Sequence, residues 1–210
     1  EEKRFLTEDG LLLEEDDPLL ELSRIVDTLD VDVIDTLDVA RTNISLLRIR
    51  RDVFGRSNIG FIAINRSPGE DTDHNRSLGG DLNLSFFNSS LNVRGFFAKT
   101  WTPGVDGEDF AGMGEIDFKK GKMDFQASYL DVQKDFNPEV GFVPRDDIRR
   151  VKASARWSPR PNTAWIRQFS IGPRFTYLMD QNNLLQSRDF EFSSFMNLEI
   201  GDWIGLRIRN

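Results

Sequence analysis

The chain of 210 residues has no cysteine and a single histidine, His74. Without cysteine there is no disulfide, no thiolate nucleophile and no thiolate metal site, although such a chain can reside in any compartment. With one histidine, a Ser-His-Asp triad must be built on His74, and no G-x-S-x-G turn or α/β pattern accompanies it. His74 sits in "PGEDTDHNRS" beside Glu70, Asp71 and Asp73. A lone His among loop acids is read as solvated loop ahead of a metal site. No phosphate-binding or dinucleotide-binding fingerprint occurs, so no cofactor, catalytic or metal residue is assigned. Also missing is any apolar run near the roughly 18 to 20 residues that a membrane-crossing helix needs.

Charge of one sign is concentrated at the start. Residues 1–40 hold 14 acidic and 3 basic side chains against a whole-chain net charge of −8, so the remainder is net positive. Those later Arg and Lys residues alternate with apolar ones or sit beside Asp, which is not the basic stripe that nucleic-acid binding requires. Residues 1–30 therefore read as an acidic irregular segment, with a short amphipathic helix or an irregular edge strand as its alternatives. Residues 31–210 read as a second region.

That region is dominated by a period of two, the mark of strands whose faces meet different surroundings. In "DFEFSSFMNLEI", Phe190, Phe192, Met196, Leu198 and Ile200 share one parity, and Asp189, Glu191, Ser193, Asn197 and Glu199 the other. "WIGLRIRN", "KMDFQASYL", "GDLNLSFF", "VKASARW" and "FSIGPRFTYLM" repeat the alternation. "VDVIDTLDV", "NISLLRIRRDV", "NIGFIAINR", "LNVRGFFAKT" and "GMGEIDFKK" bring the expectation to about eleven strands. Tight turns at "VFGRSN", "FNSSL" and "KKGKM" alternate with long loops at 67–77, 102–109 and 133–147. The predicted fold is all-β, an antiparallel up-and-down meander.

A soluble sandwich and a transmembrane β-barrel share this period, so other signals must separate them. The stretches 91–100, 122–132, 166–179 and 185–200 reach the roughly 9 to 11 residues that cross a bilayer, where soluble strands average about 5 to 6. All four tryptophans, Trp101, Trp157, Trp165 and Trp203, fall at or near strand ends, where amphipathic rings meet headgroups. Arg94, Glu115, Asp117, Asp124, Lys152, Arg156, Arg174, Glu191 and Arg207 place both signs of charge on the polar parity, as a wet lumen allows. These are the candidate lumen-facing residues, with membrane lipid as the partner of the opposite face.

The segment "DFNPEVGFVPRDDIRR" carries two prolines that fix φ and a glycine that permits a turn, so it predicts an ordered loop. Asp135, Phe136, Asn137, Pro138, Gly141, Phe142, Pro144 and Arg145 form its motif. Phe142, flanked by Val140 and Val143, is expected to anchor it against apolar surface. Its charged residues Asp135, Glu139, Arg145, Asp146, Asp147, Arg149 and Arg150 are expected to form a charge network with one another that folds it over or into a barrel mouth.

That segment, with "LLRIRRDVFGRSNIGFIAINR" and "GGDLNLSFF", resembles a bacterial outer-membrane β-barrel family of unknown function often found C-terminal to a family-9-like carbohydrate-binding module. The resemblance runs from about Val31 onward and implies a Gram-negative outer membrane, a preceding sugar-binding module and saccharide as a partner. It brings no catalytic residues. Three departures, the missing module, the missing signal peptide and the ending "RIRN" in place of an aromatic residue, lead to the expectation of a portion of a larger barrel. The biochemical role of that family is not established; the first expectation for this chain is a pore, a transport component or a surface anchor, linked to carbohydrate uptake if a sugar-binding module precedes it. Two alternatives stand beside it. One is a soluble all-β ligand-binding or carbohydrate-binding protein; the other is a carbohydrate-active hydrolase with paired carboxylates drawn from Glu115, Asp117 and Asp124. In the loop, a catalytic pair of Asp135 with Glu139 is the less favoured reading, because no base or nucleophile lies at a telling spacing.

Overall fold

The computed structural model describes residues 42–68, 74–105 and 107–210, together with the backbone of 4–6 and 12–14. The chain divides into two compact units, Glu1–Ala40 and Arg41–Asn210. In the first, β1 (Arg4–Leu6) and β2 (Leu12–Glu14) pair antiparallel, so the described backbone there is strand. The expected strand "VDVIDTLDV" and the acids Glu70, Asp71 and Asp73 lie outside the described residues.

The second unit is one antiparallel sheet of ten strands hydrogen-bonded in strict sequence order. They are β3 (Thr42–Val53), β4 (Ser57–Pro68), β5 (Asn75–Phe86), β6 (Leu91–Trp101), β7 (Phe110–Lys120), β8 (Met123–Val132), β9 (Ile148–Trp157), β10 (Ile166–Met179), β11 (Leu185–Leu198) and β12 (Trp203–Arg209). Among the described residues there is no helix, and β3 and β12 are the sheet's two open edges. The all-β, up-and-down meander expected from period two is therefore the observed architecture, with ten strands in the described sheet. Nine of them run 10 to 14 residues, and β12 has 7.

From β3 to β9 the short links gather at one end of the sheet, where residues 54–56, 87–90 and 121–122 close hairpins. Past β9 the segregation lapses, with the longer 158–165 at that end and the short 180–184 at the other. Between β7 and β8 only two residues intervene, and Gly121 takes φ +61°, which glycine enters without Cβ strain. At the other end stand the longer loops 102–109 and 133–147. All four tryptophans are placed at strand limits: Trp101 ends β6, Trp157 ends β9, Trp165 precedes β10 and Trp203 begins β12. Trp203 lies on the polar side of the sheet, because its register partner Asn197 belongs to the polar parity of β11.

Register fixes the two faces, since cross-strand partners point the same way. One face runs through Ile49, Ile59, Leu82, Phe97, Ile116, Phe125, Phe190 and Ile204, and each of these is more than a third exposed. No second layer covers it among the described residues. On the other face lie Asn83, Arg94, Glu115, Ser128, Lys152, Thr176 and Asp189, joined by successive pairings across seven strands, with Asp81 two positions before Asn83 and Arg209 opposite Glu191 on the same face. An ordinary folded domain inverts this arrangement, burying the apolar side and leaving the charged one in water.

Among the described residues, the one small apolar core lies on the polar face. Ala111, Val132 and Ile148 are buried, with Leu130, Leu178, Phe136 and Val143 packed against them. The strand residues of this cluster share the polar parity at the long-loop end, and Phe136 and Val143 arrive from the loop 133–147.

Candidate functional site

The polar face is held by ion pairs that run from strand to strand. Arg48 of β3 reaches over Gly60 of β4 to Asp81 of β5 at 2.5 Å. A Cβ at Gly60 would lie 2.6 Å from both partners, so glycine leaves the gap through which they meet. Arg94 of β6 binds Glu115 and, at 2.6 Å, Asp117 of β7. Glu191 of β11 stands between Arg174 of β10 and Arg207 of β12, at 3.6 and 3.7 Å, and Arg209 pairs with Asp189. Asp124 is 4.0 Å from Lys119 and opposite Arg156 in register. All nine charged residues proposed from the sequence as lumen-facing thus share one face. Lys152 and Arg156 have no ion pair among the described residues.

Over one end of this face folds the loop 133–147, and its contacts are long-range. The Asn75 side-chain amide donates to the Asn137 carbonyl at 2.8 Å and to Thr102 Oγ1 at 2.9 Å. The Asn137 backbone N–H donates to Thr100 Oγ1 at 3.1 Å. Asn75 and Thr100 are each only 1 % exposed, so these polar groups have given up water for the loop. Arg66 of β4 pairs with Glu139 at 2.5 Å, and Arg145 donates to Gln186 of β11. The Asp135 N–H donates to the Glu108 carbonyl at 2.8 Å, tying this loop to its neighbour 102–109. Within the loop, Gly141 N–H donates to Pro138 O at 2.7 Å and closes a turn.

Two expectations for this segment are corrected. Phe142 does not anchor it: the ring is 87 % exposed, and Val140 is exposed as well. Phe136 and Val143 fill the cluster instead, because the turn from Pro138 to Gly141 carries the intervening residues away from the sheet. The charged residues do not mainly pair with one another either. Glu139 and Arg145 reach outward to strands, Asp147 Oδ1 accepts from Gln181 N, and Arg149 turns to Asp131 at 3.4 Å and Asn183 at 2.9 Å. Pro144 is exposed beside Arg145. Sequence reasoning missed Asn75, Thr100 and Arg66, whose polar parity is no different from that of solvated neighbours.

Next to the loop, a cleft of about 210 Å³ opens on the polar face, with Glu115, Gln126, Ser128, Arg150, Lys152 and Arg174 among its lining. The carboxylates weighed for hydrolase chemistry are engaged here: Glu115 and Asp117 by Arg94, Asp124 by Lys119. His74 borders a separate, mostly apolar hollow of about 690 Å³ with Leu46, Ile64, Leu78 and Trp101. Among the described residues no group of three His, Cys, Asp or Glu side chains is arranged to hold a metal ion. Among the described residues no helix is long and apolar enough to cross a membrane. No family model matches this chain, and no curated protein or solved structure matches it significantly.

Proposed function

We propose that residues 42–210 form part of a transmembrane β-barrel in the outer membrane of a Gram-negative bacterium, providing a water-filled passage for small polar solutes. The observation that carries this reading is the inverted sheet. Its apolar face stays uncovered over ten strands, while its polar face bears the ion-pair ladder and receives the loop 133–147.

Exposed apolar patches on soluble monomers rarely exceed a few hundred Å². Here the patch runs the width of the sheet, and acyl chains would satisfy it without a second protein layer. Strand lengths of 10 to 14 residues suit a tilted crossing, and the tryptophans at strand limits suit its two interfaces. Ion pairs on the polar face would line the lumen, and the loop would narrow it from the long-loop end. The two open edges would be closed by further strands of the intact barrel. The resemblance to barrels that follow a sugar-binding module makes saccharides the first solutes to test.

Expression in a Gram-negative host behind an export signal, followed by membrane fractionation, tests the proposal. The chain should sediment with outer membranes, resist carbonate extraction and stay monodisperse only in detergent. A folded, monodisperse protein in plain buffer would favour a soluble β-rich binding protein instead.

A further inference from the structure

The cations of the polar face are not equally matched. Arg48, Arg94, Arg174, Arg207 and Arg209 each have a carboxylate across a strand boundary. Arg150 and Lys152 of β9 do not. Opposite Arg150 stand Leu130 of β8 and Leu178 of β10; opposite Lys152 stand Ser128 and Thr176. Both cations share one face, two positions apart, and Arg174 comes from the next strand diagonally to Lys152. Like charges so placed repel one another unless water or an anion stands between them.

The surroundings favour an anion over water alone. All three cations line the cleft of about 210 Å³, which also presents the neutral groups Gln126, Ser128, Ser154 and Thr176. Its acidic member, Glu115, is taken up by Arg94 and accepts from Gln126 at 3.4 Å. Leu130 and Leu178, which flank Arg150, belong to the cluster under the loop 133–147. The cationic row therefore begins where the loop covers the face, so that a solute passing the loop meets it next.

We propose that this cleft recognises small solutes bearing more than one oxyanion group, through Arg150 and Lys152 with Arg174 alongside. Guanidinium and ammonium donors form charge-assisted hydrogen bonds to carboxylate or phosphate oxygens, and the hydroxyl and amide groups serve the polar remainder of the solute. A cleft lined by one unmatched sign of charge also concentrates counter-ions and raises their rate of entry. This inference rests on the barrel reading for its access route, while the cleft itself is present in the described sheet.

The test is titration calorimetry of the full chain, refolded into detergent micelles, with inorganic pyrophosphate and citrate as probes and maltotriose as the uncharged control. Saturable binding of both anions is expected, with none of maltotriose. The variant Arg150→Gln/Lys152→Gln should lose about tenfold or more in affinity. Arg50→Gln, a cation of the same face on β3, should stay within about twofold. Circular dichroism and heat-modifiable gel mobility establish that each variant is folded. Folded, detergent-soluble protein that binds pyrophosphate no better than maltotriose, or a double variant that binds like the parent, overturns the anion site and leaves the barrel standing. Failure to enter lipid vesicles overturns the barrel reading itself.

Discussion

The side-chain amide of Asn75 donates to the backbone carbonyl of Asn137 across 62 positions of sequence, at 2.8 Å. This bond joins the first residue of β5 to the loop 133–147. Asn75 is 1 % exposed, and its removal takes a buried donor from two acceptors, the Asn137 carbonyl and Thr102 Oγ1. Asn75→Ala should cost about 1–3 kcal/mol. Its clearest sign should be faster proteolysis within 133–147, measured in micelles before any change in total β-content.

The two phenylalanines of the loop should behave differently. Phe136 packs against Ala111, Val132 and Ile148, whereas Phe142 is 87 % exposed. Phe136→Ala should lower stability by about 2 kcal/mol. Phe142→Ala should change it by less than about 0.5 kcal/mol. Urea midpoints in one detergent decide the matter, and equal losses would restore Phe142 as an anchor.

Gly172 should tolerate no side chain. A Cβ there would fall 1.9 Å from the Ala155 carbonyl oxygen, a backbone atom that cannot swing aside. The neighbouring Pro173 supplies no N–H to the ladder, and between Ile171 and Arg174 no residue pairs with β9, although the register is the same on both sides of the gap. Gly172→Ala should destabilise by about 2 kcal/mol or more through backbone displacement. Gly114→Ala, where nothing lies within 4 Å, should be close to neutral. Thermal midpoints of the two variants provide the comparison.

Charge placed on either face separates lipid from lumen. Phe192→Arg should cost about 2–4 kcal/mol if its strand crosses a bilayer near the midplane. The matched change on the polar face is Gln126→Arg, which lies beside Glu115 and should cost less than about 1 kcal/mol. Glu191 is unsuitable as that control, because an arginine there would face Arg174 and Arg207 together. Folding equilibria in vesicles measure both.

The sheet was legible because its signal is local. Phe190 and Glu191 differ in parity whatever the distant chain does, and strands 166–179 and 91–101 fall where the alternation places them. The loop was legible only as ordered. Its turn residues Pro138 and Gly141 act over four positions, but a loop has no period to say which phenylalanine faces the sheet. Its partners Arg66, Asn75 and Thr100 lie 73, 62 and 37 positions from the residues they bind. Nothing in a polar residue on a strand marks it as the receptor of a distant loop. The unmatched cations needed the register too, because Arg150 and Lys152 look like Arg156 until their cross-strand neighbours are known.

The absence of cysteine makes the central claim directly measurable. Single cysteines at successive positions 189–196 of β11, each spin-labelled in lipid vesicles, report collision with membrane-soluble oxygen or with a water-soluble nickel chelate. Labels at 190, 192 and 196 should favour oxygen, and labels at 189, 191 and 193 should favour nickel, an alternation with the two-residue period of a strand between lipid and water. Equal nickel accessibility at both parities, or shielding of 190 and 192 from both reagents, would place the apolar face in water or in protein and contradict the account.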